Sequence, residues 1–138
     1  MKKWRTILII LLVILSIGAL AVYYVFNKPH RTVETEKAII IMANDLFLSF
    51  TQNEKQANAL YLDKTIQVSG EVVEVRINQD NKSMLVLKTD DPIFGVVCTF
   101  TQNIGNQVKG STVIVKGFCS GYDGNDVKLR DCILSGKP

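Results

Sequence analysis

The feature that most constrains this chain is an uncharged apolar stretch, Ile7 to Phe26, close to the N-terminus. As an α-helix with a rise of 1.5 Å per residue, its roughly 20 residues would be about 30 Å long, which matches the hydrocarbon core of a bilayer. Tyr23 and Tyr24 fall near one end, where amphipathic rings favour the membrane interface. We therefore predict a transmembrane helix over residues 7–26.

The charges around this stretch predict its orientation. Basic residues stand on both sides of it: Lys2, Lys3 and Arg5 before it, and Lys28 and Arg31 after it. Together with the α-amino group, they favour a cytoplasmic N-terminus under the positive-inside rule. This predicts a single-pass protein of a bacterial cytoplasmic membrane, with the remainder of the chain in the periplasm or outside the cell.

A cleaved signal peptide is the alternative interpretation of the same stretch. Ala19-Leu20-Ala21 has the small-x-small pattern of a cleavage site, which would lie after Ala21. Apolar residues continue past this point to Phe26, which favours an uncleaved anchor. Both interpretations export the rest of the chain.

The residues after the anchor suffice for one domain. We divide the chain into an anchor with a short connector, residues 1–32, and a domain of roughly 105 residues, 33–138. The domain carries 11 basic and 13 acidic residues, a net charge of −2. This balance argues against a nucleic-acid-binding surface, which usually needs a clear basic excess.

The first part of the domain has a helical pattern. Apolar residues recur near the 3.6-residue period between Asn44 and Tyr61, and Asn44 is a candidate N-cap. Asn53 and Gln56 could cap a second helix, which would divide the segment into two pieces. Residues 37–42 fit either a strand or a helix.

The chain after Asp63 has a β pattern, beginning with one long strand over residues 64–78. Its apolar alternation changes parity, since the inward positions are Ile66, Val68 and Gly70 and then Val73, Val75 and Ile77. A bulge at Gly70-Glu71 would flip the alternation and keep the apolar face inward. A long bulged first strand suits a barrel in which it serves both sheets.

Four further strands follow, separated by turn-forming residues, and the longest connection lies between the third and fourth strands. We predict them at residues 83–89, 94–101, 111–119 and 127–134. Five strands after an amphipathic helix match the OB-fold, a five-stranded Greek-key barrel. The predicted fold class is therefore mainly β: an OB-fold barrel preceded by an amphipathic helix and an N-terminal transmembrane helix.

Residues 44–134 also resemble a known family. The similarity is carried by NEKQANALYLDKTIQVSGEV at 53–72, VxCxF at 96–100, VxVKGFCSG at 113–121 and VxLxDCIL at 127–134. With these motifs the chain resembles the tRNA-anti-like family of bacterial OB-fold proteins. The resemblance implies the OB-fold and does not establish tRNA binding. Many members look like exported lipoproteins, whereas this chain has an apolar helix.

The three cysteines fit a structural role better than a chemical one. Cys98, Cys119 and Cys132 each fall in a predicted strand, without a CxxC pair, and the one histidine, His30, lies in the connector. Zinc binding and thiol catalysis are therefore disfavoured. An exported domain can hold a disulfide, and a Cys119–Cys132 pair would need a bulge near Asp131. Three buried free thiols are the alternative.

The acidic clusters match turn chemistry. Asp90 and Asp91 precede Pro92, and Asp123 and Asp126 flank Gly124-Asn125. The second cluster lacks the spacing and final glutamate of a calcium loop. Aspartates in such turns usually accept hydrogen bonds from nearby backbone N–H groups. We predict no catalytic residues, metal site or cofactor, and no enzymatic activity.

These observations predict a membrane-anchored extracytoplasmic binding module. OB-folds bind through the face of their second and third strands and through the loops here at 78–83 and 120–126. Arg76, Lys88 and Tyr122 are the candidate contact residues, on one side of the barrel, for an envelope protein or an anionic envelope component. A single-stranded nucleic-acid-binding OB domain is the alternative function.

Overall fold

The fold is taken from a computed structural model that describes residues 2–27, 32–105 and 108–136. The chain divides into two compact units, Met1–Arg31 and Thr32–Pro138. The first unit contains the helix α1, Lys2–Phe26. By length and composition, α1 qualifies as a candidate membrane span or a signal sequence. The connector residues Lys28 and His30, to which the sequence assigned roles, lie outside the described residues.

The second unit begins with a short strand and two short helices. These are β1 (Ile39–Met42), α2 (Ala43–Gln52) and α3 (Glu54–Tyr61). The break between the helices is confirmed, because the Asn53 side chain accepts a hydrogen bond from the Gln56 N–H at 3.1 Å. The predicted cap at Asn44 is wrong: Met42 occupies the N-cap position of α2, and Asn44 bonds elsewhere.

Five strands then form the barrel. They are β2 (Thr65–Ile77), β3 (Ser83–Leu87), β4 (Val96–Phe100), β5 (Thr112–Tyr122) and β6 (Val127–Gly136). The strand order is β1-β2-β3-β4-β6-β5, and a further β2–β5 pairing closes the sheet on itself. The mainly β, five-stranded OB-fold barrel predicted from the sequence is confirmed. The short β1 extends the sheet by pairing in parallel with the first half of β2.

The bulge in β2 lies further along the strand than predicted. The ladder with β3 runs from the pair Val72–Leu87 to the pair Glu74–Val86, which leaves Val73 as the extra residue. Val72 is therefore buried, whereas Val73, predicted to face inward, is 41% exposed. Gly70 keeps the inward position before the bulge, where a Cβ would lie 3.0 Å from the Ala43 Cβ.

Helix α2 closes one region of the core. Leu46, Phe47 and Phe50 are buried together with inward residues from all five barrel strands, among them Val68, Leu85, Val96, Val115 and Leu129. This apolar stripe recurs at helical spacing, so α2 buries one face and leaves the other to solvent. The packing function predicted for the helix is confirmed.

One prediction tests the packing at the β5–β6 seam. A Cβ on Gly117 would lie 2.5 Å from the Cys132 Sγ, so Gly117→Ala should destabilise the domain by about 1–3 kcal/mol through overpacking. In a Cys132→Ala background the cost should be smaller, because the sulfur is gone and only the Arg130 carbonyl oxygen, at 3.1 Å, remains as a close neighbour. Urea unfolding of the full-length chain in detergent, under reducing conditions, measures both differences. An equal cost in the two backgrounds would contradict this packing.

Candidate binding surface

The interior of the barrel is occupied by side chains. Leu85 and Leu87 on β3, Val96 and Cys98 on β4, and Val115 on β5 are completely buried. In an eight-stranded or smaller barrel, inward side chains of this size fill the available volume. Any ligand of this domain must therefore bind to the outer face or to the loops.

The outer face of β2 and β3 carries two of the three predicted contact residues. Since Leu85 and Leu87 point inward, the alternating positions Met84, Val86 and Lys88 point outward. Arg76 lies opposite Met84 in the ladder, and the Lys88 N–H donates to the Glu71 carbonyl at 2.8 Å. Arg76 and Lys88 thus lie on one face, which we call the β2–β3 surface.

Tyr122 does not belong to the β2–β3 surface, which corrects the expectation of an exposed phenol beside Lys88. Its ring packs against Phe47 and Phe50 of α2, with ring centroids 6.4 and 6.2 Å away. The hydroxyl donates to the Gly124 carbonyl at 2.9 Å. The sequence places Tyr122 correctly near the β5–β6 loop, but α2 covers that end of β5.

Both basic residues of the β2–β3 surface are paired with glutamates. The Arg76 guanidinium donates two hydrogen bonds to the Glu74 carboxylate, at 2.7 and 2.6 Å. This pair raises the pKa of Arg76 and lowers the pKa of Glu74. The Lys88 Nζ lies 3.6 Å from the Glu71 carboxylate. Because each cation has an adjacent anion, the surface attracts a polyanion less than its basic residues alone suggest.

A groove with both apolar and polar lining residues lies beside these ion pairs. The β3–β4 loop folds next to β3 and encloses a cavity of about 290 Å³. Its lining is half polar and half apolar: Val73, Val86, Ile93 and Phe94 share it with Lys88, Thr89, Asp90 and Asp91. Ile93 is 77% exposed. Neither Val73 nor Ile93 was predicted to be exposed: Val73 was expected to face inward because the bulge was placed too early, and Ile93 follows a turn signal. A large apolar residue directly after Asp-Asp-Pro was the available clue.

A second cavity of about 220 Å³ shares Lys88, Thr89 and Asp90 with the groove. Asn44 forms one of its walls and fixes the loop with two hydrogen bonds. Its Nδ2 donates to the Asp90 carboxylate at 2.7 Å, and its Oδ1 accepts from the Asp90 N–H at 2.9 Å. The start of α2 is thereby tied to the β3–β4 loop, which lines the groove.

The remaining aspartates hold the loops. Asp91 accepts hydrogen bonds from the backbone N–H groups of Ile93 and Phe94, both at 2.8 Å. Asp126 accepts from the Gly95 N–H at 2.8 Å, which joins the β3–β4 and β5–β6 loops. Asp123 forms an ion pair with Lys128, and hydrogen bonding to Lys128 lowers the Asp123 pKa strongly. These contacts match the predicted turn chemistry.

The cysteines are buried free thiols at three different positions of the barrel wall. Cys119 lies opposite Leu129 in the β5–β6 ladder, and its disulfide with Cys132 stays a prediction. The predicted bulge near Asp131 is present, with a φ of 52° at that residue. In residues 2–27, 32–105 and 108–136, no group of three or more His, Cys, Asp or Glu side chains is placed to hold a metal ion.

Comparisons with known proteins agree with this architecture. The tRNA_anti-like family profile matches residues 1–133. A solved lipoprotein from Klebsiella pneumoniae, to which nucleic-acid binding has been ascribed, is 15% identical with a TM-score of 0.52. The alignment covers 70% of this chain and 92% of the lipoprotein. Identity this low shows a shared fold alone.

A protein from Leishmania major, assigned as an aspartyl-tRNA synthetase, is 16% identical with a TM-score of 0.37. That alignment covers 87% of this chain and 26% of the synthetase. Functionally curated proteins give no significant match.

Asp91 provides a test of the loop chemistry that positions the groove. Its backbone hydrogen bonds lower its pKa below the ordinary 3.8. The charged carboxylate therefore stabilises the fold above the unfolded-state pKa, and this stability is lost as the pH falls through the lower folded-state pKa. We expect Asp91→Asn to lower the urea midpoint at pH 7, with the difference from wild type shrinking below about pH 4.

Asp80→Asn, in the exposed β2–β3 turn, is the matched control. The hydrogen-bonding role of Asp91 is refuted if both variants unfold at the wild-type urea concentration at pH 7.

Proposed function

The chain belongs to the tRNA_anti-like family, and from this premise we propose that it is a membrane-anchored, extracytoplasmic binding module without catalytic activity. We propose further that an envelope protein docks on the β2–β3 surface, over the groove lined by Val73 and Ile93. Arg76 and Lys88 would contact the partner at the edges of the groove.

The observation that carries this proposal is the pair of exposed apolar side chains, Val73 and Ile93, that line a groove outside a filled barrel. Val73 and Ile93 are exposed at 41% and 77%, and the nearby cations are already paired with glutamates. Burying apolar side chains at the centre of an interface with charged residues at the rim is typical of protein–protein contacts. A protein partner therefore fits this surface better than a free anion.

The aromatic residues argue in the same direction. In residues 32–105 and 108–136, every aromatic side chain is buried or half-buried. Single-stranded nucleic acid is usually held by exposed aromatic rings on which bases stack, in a basic groove. The net charge of −2 on the domain adds to this argument. Because nucleic-acid binding has been ascribed to the Klebsiella lipoprotein, binding of single-stranded nucleic acid is the alternative function that we test.

The proposed location rests on α1 and its flanks. The helix is long and apolar enough to span a bilayer, and basic residues lie at both of its ends. The cluster at the N-terminus favours its retention in the cytoplasm.

Protease accessibility tests the location. In spheroplasts of cells producing the chain with an N-terminal tag, added protease should digest the domain, because it lies outside the membrane. The tag should stay intact and membrane-associated, which an anchor cleaved after Ala21 would not allow. A cytoplasmic marker protein controls for lysis. Protection of the domain in intact spheroplasts would reverse the proposed orientation.

Site-specific photo-crosslinking tests the surface. A photoreactive residue at Ile93 should give an adduct with one envelope protein, whereas the same residue at Lys55 on α3 should not. Combining it with Arg76→Ala and Lys88→Ala should reduce the Ile93 adduct about fivefold, corresponding to about 1 kcal/mol of binding free energy. The proposal fails if the adduct is equally strong at both positions or unaffected by the double variant.

Nucleic-acid binding is measured in parallel with fluorescent oligonucleotides of about 16 nucleotides, the upper site size of an OB-fold. We expect no saturable binding at physiological salt. Tight, salt-sensitive binding that Arg76→Ala and Lys88→Ala weaken would instead establish the alternative function.

A further inference from the structure

The first strand of the sheet has an open edge. In residues 32–105 and 108–136, β1 is the one strand with a single neighbour, because each of the five barrel strands is paired on both sides. β1 pairs with β2 along one edge, from the pair Ile39–Ile66 to the pair Met42–Ser69. A strand with one neighbour presents the backbone N–H and C=O groups of its other edge to a further strand.

The open edge is apolar and lacks the features that usually protect an edge strand. Ile40 and Met42 are 76% and 61% exposed, whereas Ile41 between them packs against the core. The four residues of β1 are Ile-Ile-Ile-Met, without a proline or a charge to discourage a second strand from pairing. Since side chains alternate along a strand, Ile40 and Met42 share the exposed face.

Both ends of β1 are held in place by side chains. Before β1, the Lys116 Nζ donates hydrogen bonds to the backbone carbonyls of Glu34 and Glu36, at 3.3 and 2.6 Å. After β1, the Asn44 side chain donates to the Asp90 carboxylate and accepts from the Asp90 N–H. Because the edge is already ordered, pairing with another strand requires little further loss of conformational entropy.

The two ends of β1 carry opposite charges. Lys37 is exposed and lies two residues before the strand, whereas Asp45 is exposed and lies in the first turn of α2, directly after the strand. A strand of four residues is roughly 13 Å long, so Lys37 and Asp45 of one chain are held apart. In an antiparallel pair of two copies, the basic end of each strand meets the acidic end of the other. The edge is therefore complementary to itself in charge.

We infer that two copies of this chain pair antiparallel through the open edges of β1, about a two-fold axis. Ile40 of each copy lies opposite Met42 of the other, and Lys37 lies opposite Asp45. Directly opposed residues of antiparallel strands share a face, so this alignment buries the exposed apolar side chains of both copies against each other. In such an isologous contact the same patch serves both partners.

The paired edge is short, so its stability depends on confinement. Strands of four residues bury less than the roughly 800 Å² per partner of a stable interface. Two chains anchored by α1 in one bilayer meet at a high effective concentration, which favours a contact that is weak in solution. The inference thus rests on the membrane anchor of the proposed function, but not on a partner at the β2–β3 surface.

Disulfide capture tests the alignment. Full-length Ile40→Cys and Met42→Cys chains with different tags are reconstituted together in phosphatidylcholine vesicles and mildly oxidised. We expect the mixed-tag dimer to exceed dimers of like variants, because opposed Cβ atoms lie about 5 Å apart and diagonal ones about 7–8 Å. The wild-type chain, with three buried cysteines, is the control. The inference is overturned if like variants bond as much as the mixture does, or if no dimer forms.

A charge exchange tests the contact between the ends of the strands. In the same assay, Lys37→Glu and Asp45→Lys should each lower the yield of mixed dimer at least about threefold, because each removes both ion pairs of the dimer. The two changes together, in both chains, should restore it. Restoration requires contact between copies, since β1 separates Lys37 from Asp45 within one chain. Lys55→Glu on α3 is the matched control, and a double variant without recovery contradicts the alignment.

Two further measurements distinguish other occupants of the edge. A fluorophore on Ile40→Cys that is quenched by brominated lipids would show that the edge contacts the bilayer, which overturns the pairing. In intact cells, a photoreactive residue at Ile40 should give a dimer of this chain, and an adduct exclusively with another protein would overturn the inference. Flotation of the vesicles separates the failures. A chain that does not float refutes the anchor, whereas one that floats without dimers refutes the pairing alone.

Discussion

The pairing of β2 with three other strands is the constraint on which the rest of the domain depends. Its first half pairs with β1 and β5, and its second half pairs with β3. One strand can serve both sides of the barrel only if its apolar face stays inward along its length, and the extra residue at Val73 allows this. The same bulge turns Val73 outward. The bulge that allows the barrel to close therefore also places an apolar side chain in the exposed groove.

Local chemistry made much of the fold predictable. Asn53 and Gln56 predict the second helix, and the change of apolar parity from Leu129 to Cys132 permits the bulge that is found near Asp131. The sequence could not locate the β2 bulge, because Gly70 and Val73 both permit one. That choice is decided by long-range packing: Gly70 has to stay inward beneath Ala43 of α2, which leaves the extra residue to Val73.

The sequence predicts which residues of the candidate surface point outward, but it does not predict which side chains surround them. Alternation places Arg76 and Lys88 outward, and the ladder with β3 agrees. It does not reveal that α2 covers Tyr122, because that contact joins residues more than 70 positions apart in the sequence. Nor does it reveal that Glu74 and Glu71 neutralise the two cations. Both facts depend on which strands and helices become neighbours. Of the two partners expected from the sequence, an envelope protein or an anionic envelope component, they favour the protein.

A surface with exposed apolar side chains and paired charges predicts weak binding that depends little on salt. If affinity comes mainly from burying Val73 and Ile93, the binding should be weak and only slightly sensitive to salt, because the ion pairs offer little unbalanced charge. Two exposed apolar side chains supply only part of the roughly 800 Å² that each partner buries in a stable interface. Weak docking can still be effective for a tethered domain, because the anchor confines it to the layer where an envelope partner is found and raises the effective concentration. On this view, the proposed function requires the apolar helix as much as the groove, since neither alone would hold a partner at the membrane.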